Sequence, residues 1–427
     1  MEYKKYELLP YHLHVIHTEK FKTVTIKVCL KRPLVPEEIT IRNLLGNVLL
    51  ESTEKHPSRR YMGMMTENLY GFSCQMDTYR SGNYMMTTLS ASFLDEKYTE
   101  PGMLKKSIQF LIEILSCPNV QKGAFDEHSF NICKEGLKAA IESYDENPTR
   151  YAKRRLLQSM EENATYACMP CGTLEDLEKI TPQSLYEYYK SVMKSDLVDI
   201  FVCGNVNGEE LKNMLLSEFH IKTIKKPGKS HMITHNKYRK RCKITKESRD
   251  ITQSILMIGC KLDHPTEYER KYVMGLYNHL LGGSGDSRLY QTVREKHSLC
   301  YSIYSSASGV DNLLYIQAGI DKDRFKKTTE LIRKEMKKIA LGDIKEEEIE
   351  KYITMYLASC KEIEDSPNDL ISLVMAQEYL HNDPLEVKEK EVLKLTKEMV
   401  VEFASKVRLD TIYLLEGEKS HEETTTQ

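Results

Sequence analysis

Strong net charge of either sign is absent from this sequence. It carries 61 Lys and Arg residues against 63 Asp and Glu, so the formal net charge is −2, and no global field is available to hold nucleic acid or an acidic membrane. The first ten residues contain no apolar stretch of signal-peptide length, and no window approaches the roughly 18 uninterrupted apolar residues that a transmembrane helix needs. We therefore expect a cytoplasmic protein that binds neither nucleic acid nor a membrane.

The cysteines lack the regular spacing of a disulfide framework. There are 11 of them, an odd number scattered over 427 residues, which is typical of free buried thiols in a reducing compartment. Cys168 and Cys171 have the Cys-x-x-Cys spacing of zinc and redox sites, but no second pair stands at the spacing of a zinc site. A redox role stays the minor alternative for this pair.

The two halves of the chain contain the same series of predicted strands and helices in the same order. Period-2 alternation of apolar residues indicates strands, and Thr followed by Pro indicates a helix start. The first half predicts, in order, a strand at Thr23–Leu30, a helix at about 37–51, a hairpin with arms Leu69–Tyr79 and Tyr84–Phe93, a helix capped by Thr181, and a strand at Leu197–Gly204. The second half predicts a strand at Ile255–Cys260, a helix at about 268–281, a hairpin with arms Cys300–Ala307 and Leu313–Ile320, a helix from 395, and a strand at Thr411–Gly417.

This duplication predicts two homologous α+β domains, each a mainly antiparallel sheet packed with helices on one side. Residues 222–246 contain ten Lys or Arg and no Asp or Glu. Because they have few aromatics to stack on bases, a solvated linker is a better interpretation than a nucleic-acid site. The expected domains are therefore 1–221 and 247–418, joined by a basic linker at 222–246 and followed by a polar tail at 419–427.

Several stretches resemble the pitrilysin/insulinase family of zinc peptidases. Gly172–Thr181 and Val202–Val206 are similar to the end of that family's first domain. Leu281–Tyr290, Val293–Lys296 and Leu299–Ser302 are similar to the signature of its second domain. The resemblance covers nearly the whole chain, and it implies the same duplicated fold that the repeat indicates.

The family's zinc motif, His-x-x-Glu-His, does not occur in this sequence. Its spacing puts two imidazoles on one helix face, with a Glu between them to activate water. Aligning the similar stretch 53–58 puts the two ligand positions at Asn43 and Asn47 and the Glu position at Gly46. A third ligand falls near Ala140. Amides are poor zinc ligands beside imidazole and glycine has no basic group, so we expect a degenerate site, no metal and no cofactor in this chain.

An Arg and a Tyr seven residues apart face the zinc in family members, and Arg294 and Tyr301 have that spacing. The resemblance implies that Arg294 holds the substrate backbone and that Tyr301 donates a hydrogen bond to the oxyanion. A surface Arg and a core Tyr are the alternative interpretation. His12 and His14 share one face of a predicted strand, and we expect them at the strand surface, since no carboxylate in register is evident.

These observations and the resemblance predict the non-catalytic, peptide-binding subunit of a heterodimeric bacterial peptidase. We expect no activity from the chain on its own, because it lacks the zinc motif. Its expected partners are a homologue that carries His-x-x-Glu-His with zinc, and a peptide or protein substrate; a homodimer of the isolated chain is left open. The sequence looks most like the family's YfmF-like branch, which implies a link to elongation factor P modification. The alternatives are a structural or binding module without a peptidase role, and a metallopeptidase with unrecognised ligands.

Overall fold

A computed structural model describes residues 2–8, 11–221 and 238–417. The chain divides into two compact units. The first unit contains the described residues of 1–143, 168–232 and 363–379, and the second contains those of 144–167, 233–362 and 380–427. Each unit therefore includes one short segment that the sequence places in the opposite half of the chain.

The secondary structure consists of strands, α-helices and short 3₁₀ or π segments. The strands are β1 (Glu2–Glu7), β2 (His12–His17), β3 (Thr23–Pro33), β4 (Ser73–Ser81), β5 (Tyr84–Leu94), β6 (Val120–Gln121), β7 (Ala124–Phe125), β8 (Leu197–Gly204), β9 (Lys243–Arg249), β10 (Ser254–Leu262), β11 (Cys300–Ser308), β12 (Leu313–Ile320) and β13 (Val407–Gly417). The helices are α1 (Ile39–Glu51), α2 (Arg59–Asn68), α3 (Met103–Ser116), α4 (Glu127–Tyr144), α5 (Pro148–Met160), α6 (Leu174–Lys179), α7 (Pro182–Ser195), α8 (Gly208–Glu218), α9 (Met274–Asn278), α10 (Phe325–Ala340), α11 (Glu346–Ile363), α12 (Pro367–Leu380), α13 (Leu385–Val392) and α14 (Lys397–Lys406). The 3₁₀ segments are Pro36–Glu38, Glu96–Tyr98, Thr165–Ala167 and Lys322–Arg324, and the π segments are Glu269–Val273, His279–Gly283 and Tyr290–Lys296.

The two sheets repeat one topology. The first has the order β1-β2-β8-β3-β5-β4, and the second has the order β11-β12-β10-β13-β9. Read from its other end, the second sheet matches β2-β8-β3-β5-β4 strand for strand. The first pair of each five-strand series is parallel (β2 with β8, and β9 with β13). The remaining pairs of each series are antiparallel. The predicted fold class, two α+β halves with mainly antiparallel sheets, is confirmed.

Equivalent helix caps precede the equivalent strands β8 and β13. The Thr181 side chain accepts a hydrogen bond from the Ser184 N–H at the start of α7, and Pro182 occupies the first helical position. The Thr396 side chain accepts from the Met399 N–H at the start of α14. A hydroxyl that satisfies an otherwise unpaired amide is what a helix start requires, so both predicted helix starts are borne out.

Each sheet is covered on both faces. In the first unit one face packs on α1, α3, α4, α7 and α8, and the opposite face packs on α12 through residues such as Phe201, Leu370 and Ile371. In the second unit α9, α10 and α14 cover one face, and α5 covers the other with Leu156 and Met160. The prediction had helices on one side, and α5 and α12 add a single helix to the second side of each sheet.

Several predicted boundaries differ from the structure, among them that of β13, which starts at Val407 rather than at Thr411. The first hairpin arm starts at Ser73 rather than Leu69, because the Leu69 N–H still donates to the Met65 carbonyl of α2 and Tyr70 turns the chain with φ +57°. Of the predicted linker 222–246, residues 222–237 lie outside the described residues, and residues 243–246 belong to β9. The predicted tail 419–427 also lies outside them. The predicted division into two domains, a linker and a tail stays a prediction.

Candidate functional site

Helix α1 carries three of the four positions that the sequence predicts for a degenerate zinc site. The Asn43 side chain donates from Nδ2 to the Ile39 carbonyl at 2.8 Å and to the Pro170 carbonyl at 3.0 Å. Pro170 belongs to the loop that precedes α6. The amide at the predicted first ligand position therefore fastens this loop to α1 through one hydrogen bond, and it donates the other within α1 itself.

Close packing holds the same loop against the start of α1. Gly172 has φ +86°, and a Cβ built there would lie 2.0 Å from Thr40 Oγ1 and 2.7 Å from Thr40 Cα. The next residue, Thr173, donates its N–H to Thr40 Oγ1 at 3.0 Å. Only glycine combines a left-handed backbone with so near an approach. Residues 168–173 consequently form a fixed cover over the first turn of α1.

Gly46, at the position of the water-activating Glu, faces the side chain of Met76. A Cβ at Gly46 would meet Met76 Cγ at 3.3 Å and Sδ at 3.4 Å. Met76 lies on β4, which pairs with β5 alone among the described strands and so forms one edge of the first sheet. The space where a catalytic carboxylate would project is therefore filled by a thioether.

The remaining two positions offer no ligand either. Asn47 is exposed on α1, and Ala140 is exposed on α4 with Glu135 and Glu142, which are exposed as well. Across residues 2–8, 11–221 and 238–417, no group of three or more His, Cys, Asp or Glu side chains is arranged to hold a metal ion. An engaged amide at Asn43, an exposed amide at Asn47 and the Met76 thioether do not fit zinc, which takes imidazole, thiolate or carboxylate ligands.

The neighbouring Cys-x-x-Cys pair sits in the loop that covers α1. Burial raises the pKa of the Cys168 thiol, and the Arg80 charge counters this only in part. A raised pKa reduces the thiolate fraction that redox chemistry requires. The electrostatics therefore disfavour the minor alternative of a redox site.

A sharp turn in the second unit positions Arg294. The π segment Tyr290–Lys296 ends where the Ser298 N–H donates to the Arg294 carbonyl and the Leu299 N–H donates to the Val293 carbonyl, both at 3.0 Å. Ser298 has φ +48°. This left-handed residue turns the chain from the helix into β11, so that Arg294 stands in the last helical turn beside the start of the strand.

A β-bulge then exposes Tyr301. The pairing of β11 with β12 shifts between Cys300, opposite Ile320, and Ser302, opposite Gly319. Tyr301 is the extra residue on the bulged strand, and it is 63% exposed while Cys300 is buried. Bulges re-aim side chains in this way and are frequent beside functional sites.

Arg294 and Tyr301 line one cavity of about 380 Å³. The Arg294 guanidinium lies 4.6 Å from the centroid of the Tyr290 ring, and its Nε is 3.8 Å from Glu295 Oε1. Arg324 on the same wall pairs with Asp321 at 3.0 Å. The structure therefore brings the predicted Arg and Tyr together, with the arginine side chain 39% exposed and in a position to donate to a peptide carbonyl.

The prediction that His12 and His14 lie at the strand surface without a carboxylate in register is wrong. The parallel pairing of β2 with β8 puts Asp199 opposite His12, and His12 Nδ1 lies 2.7 Å from Asp199 Oδ1. His14 is buried, with its ring 4.3 Å from that of Phe201 and its Nδ1 2.9 Å from the Tyr3 hydroxyl. The available signal was Asp199 itself, a carboxylate inside an otherwise apolar strand.

These contacts shift the pKa values of Asp199 and His12 in opposite directions. Although burial alone would raise it, the hydrogen bonds from His12 and Tyr379, together with the nearby His14 ring, hold the pKa of Asp199 below its usual value. The hydrogen bond to Asp199 raises the pKa of His12 against the effect of its burial. Both shifts favour a charged pair. We assign this pair a structural role, because Tyr379 of α12 also donates to Asp199 Oδ2 at 2.8 Å.

Comparison with known proteins gives consistent similarities. Residues 179–356 match the family model "Peptidase M16 inactive domain". The chain is 28% identical over 407 residues to "Probable inactive metalloprotease YmfF" of Bacillus subtilis (strain 168), with 95% of each covered. The description of this relative as inactive agrees with the predicted non-catalytic branch.

Solved structures show the same architecture. A conserved protein from Enterococcus faecalis V583 has a TM-score of 0.90 at 28% identity and covers 98% of this chain and 99% of its own. A peptidase M16 inactive domain from Pseudomonas fluorescens has a TM-score of 0.78 at 15% identity, again over 98% and 99% of the chains, and it supports the fold alone. Within the part of this chain that the structure describes, no helix is long and apolar enough to span a membrane.

Proposed function

We propose that this chain is a non-catalytic member of the M16, or pitrilysin/insulinase-type, peptidase family, to whose members it is similar, and that it is the peptide-binding subunit of a heterodimeric metallopeptidase. Its partner would be a homologue that carries His-x-x-Glu-His and the zinc ion. One contrast carries the proposal. Of the predicted zinc-site positions, Gly46 packs against Met76 and Asn43 is hydrogen-bonded to the loop at Pro170, whereas Arg294 and Tyr301 line an accessible cavity.

The chemistry of this cavity supports a role towards a peptide. An arginine presents several fixed N–H donors, which suit a backbone carbonyl, and a phenol can donate to an oxygen on which negative charge develops. Neither group needs a metal in its own chain. In the proposed complex they act on a peptide whose scissile bond lies at the partner's zinc.

A second feature of the first unit also suits an extended peptide. Strand β4 presents a free edge among the described strands, and its residues alternate between exposed and half-buried. An unpaired edge can accept a further strand through main-chain hydrogen bonds. We propose this edge as a second contact for substrate.

Two finer parts of the proposal have separate grounds. A cytoplasmic location rests on the sequence features alone, and participation in elongation factor P modification rests on the family resemblance. Deleting the gene and weighing elongation factor P by mass spectrometry tests the second part, and an unchanged mass would remove it.

The central experiment is cleavage by the reconstituted pair. The chain is co-expressed with the homologue that carries the zinc motif, and peptide hydrolysis is measured with wild type, Arg294→Ala and Tyr301→Phe. Loss of one donor to a transition-state oxygen typically lowers kcat by about 10²-fold or more, and we expect losses of that order for both variants. Tyr304→Phe, on the same strand but outside the cavity lining, and Arg333→Ala, an exposed arginine of α10, are the matched controls.

Each outcome has a defined meaning. Loss in both test variants with both controls active supports the role in trans. Full activity of Arg294→Ala and Tyr301→Phe contradicts it and favours a structural module. Hydrolysis by the isolated chain that a chelator abolishes would contradict the non-catalytic assignment itself.

A further inference from the structure

The backbone turn between Arg294 and Tyr301 is tied to the end of strand β12. Arg324, in the 3₁₀ segment after that strand, donates from its guanidinium to the Ser298 carbonyl. Its Nε lies 3.0 Å from Oδ2 of Asp321, the residue that follows β12. One side chain therefore bridges the end of β12 and a turn that lies 26 residues earlier in the chain.

The turn needs support from outside because Ser298 has a left-handed backbone. Its φ is +48°, a conformation that residues other than glycine rarely adopt and that persists only where neighbouring contacts hold it. Both main-chain groups of Ser298 are held, since its N–H donates to the Arg294 carbonyl at 3.0 Å and its carbonyl accepts from Arg324. The second contact can be removed by substitution without any change in the turn residues themselves.

Both predicted substrate contacts depend on this turn. Arg294 lies in the helical turn just before Ser298, and Tyr301 lies just after it, at the bulge between Cys300 and Ser302. A change in the dihedral angles of Ser298 would therefore move the two side chains relative to each other. Because a displacement of about 1 Å can cost about 10²-fold in rate, loss of the contact that holds the turn should be visible in catalysis.

Arg324 also lines the cavity, so a direct contact with substrate is the alternative role. Its guanidinium is already engaged by Asp321 and by the Ser298 carbonyl. The Arg294 Nε, in contrast, lies 3.8 Å from Glu295 Oε1, beyond hydrogen-bond distance. This difference favours positioning for Arg324 and ligand contact for Arg294.

We propose that Arg324 is the positioning residue of the Arg294 and Tyr301 pair, oriented by Asp321 and acting through the Ser298 carbonyl. Its effect on peptide cleavage rests on the proposed function, whereas its effect on the turn can be measured in the isolated chain. A guanidinium suits this task because its fork offers several fixed donors to a carbonyl and a carboxylate at once. A lysine ammonium is a compact charge on a flexible stem and should hold the turn less well.

Hydrogen exchange of the isolated chain, read by mass spectrometry on peptides that span 293–302, tests the hold on the turn. The Ser298 and Leu299 amides are both hydrogen-bonded, so they exchange when the turn opens. We expect Arg324→Met to speed their exchange by about tenfold or more, as loss of a charge-assisted hydrogen bond implies, and Arg324→Lys to speed it less. Exchange in β10 should not change, and Arg333→Met, at an exposed arginine of α10, should behave as wild type does.

Cleavage by the reconstituted pair tests whether the turn serves the two side chains. Arg324→Met should lower kcat by about tenfold or more in the wild-type background. In the Tyr301→Phe background the same substitution should cost no more than about threefold, because the effects of residues that act through one group are not additive. Arg324→Lys should fall between Arg324→Met and wild type.

Asp321→Asn should speed exchange of the same amides to a smaller extent, and it replaces Arg324→Met if that variant does not fold. Unchanged exchange in the folded test variant would overturn the proposal, as would unchanged kcat beside a loss in Arg294→Ala. An equal loss in the wild-type and Tyr301→Phe backgrounds would mean that Arg324 contacts substrate or partner itself, and it would overturn the proposal too. Faster exchange together with full cleavage by Arg294→Ala would support the hold on the turn and contradict the proposed function, so the two failures can be distinguished.

Discussion

His12 Nδ1 lies 2.7 Å from Asp199 Oδ1 across the parallel strands β2 and β8. The two residues are far apart in sequence, and the pair also links these strands to α12, because the Tyr379 hydroxyl donates to the same carboxylate. A buried carboxylate with three polar neighbours stabilises the fold only while its partners keep their charges and protons. The stability of the first unit should therefore depend on pH through this cluster.

The sign of that dependence follows from the two shifts. Asp199 has a lowered pKa, so its contribution is complete above the ordinary carboxyl pKa of about 3.9 and is lost as the pH falls through the folded value. His12 has a raised pKa, so its contribution is complete below about 6.5 and is lost as the pH rises through the folded value. Both contributions are complete together between about pH 4 and 6.5.

We expect His12→Asn to cost more stability at pH 5.5 than at pH 9, because the charged hydrogen bond to Asp199 is lost from wild type at the higher pH. The difference should be about 1 kcal/mol, the usual gap between charged and neutral hydrogen bonds. Urea denaturation at the two pH values measures it. His220→Asn, at an exposed histidine, should show no such dependence, and an equal cost of His12→Asn at both pH values would contradict the assignment.

Tyr379→Phe isolates the contact that α12 makes with Asp199. The variant removes a hydroxyl 2.8 Å from Asp199 Oδ2 but keeps the ring, which also lies 4.5 Å from Lys31 Nζ. We expect a loss of about 1.5–3 kcal/mol, since the hydroxyl donates to a buried charge. Chemical denaturation gives the loss, and faster amide exchange in α12 would locate it. The control is Tyr98→Phe, at an exposed tyrosine; a cost no greater than that of the control would refute the prediction.

Restoring the zinc motif in α1 should not restore a zinc site. In the variant Asn43→His, Gly46→Glu, Asn47→His, the new side chain at 46 meets Met76, and the loop loses the hydrogen bond from residue 43 to Pro170. Overpacking and the lost bond should lower the free energy of unfolding by about 2–4 kcal/mol. Denaturation and metal analysis test this, with Asn47→His alone, at an exposed position, expected within about 0.5 kcal/mol of wild type. Stoichiometric zinc at unchanged stability would be the opposite result.

Local signals in the sequence were sufficient for most elements. The Thr181 and Thr396 caps mark the starts of α7 and α14, and the apolar run that predicts a strand at Leu197–Gly204 has the bounds of β8. These features depend on neighbours only a few residues away in the sequence, so capping residues and apolar periodicity are enough to predict them. The repeat of such units was enough to predict the duplicated fold.

Features that depend on distant pairing could not be read in the same way. The exposure of Tyr301 comes from a register shift against β12, and the burial of His14 comes from its position between Tyr3 and Phe201. The helices α5 and α12 join units that their sequence positions do not indicate. One signal did exist in the sequence, because the strand that became β8 has apolar residues on both faces, and such a strand requires cover on both. In the structure every residue of β8 is buried.

A pair of glycine variants tests whether the loop over α1 is as tightly fixed as its contacts imply. Gly172→Ala puts a methyl group at 2.0 Å from Thr40 Oγ1 and requires alanine at φ +86°. Since neither the Thr40 backbone nor the turn can move without a large cost, we expect the free energy of unfolding to fall by about 2–4 kcal/mol.

Gly136→Ala is the matched substitution in α4, where a new Cβ meets nothing within 4 Å and φ is negative. It should stabilise the chain by up to about 1 kcal/mol, because alanine is the better helix former. Thermal and urea denaturation of both variants give the comparison. If Gly172→Ala were tolerated as well as Gly136→Ala, the loop could move away from Asn43, and the packed-shut state of the degenerate zinc site would not be a fixed property of this chain.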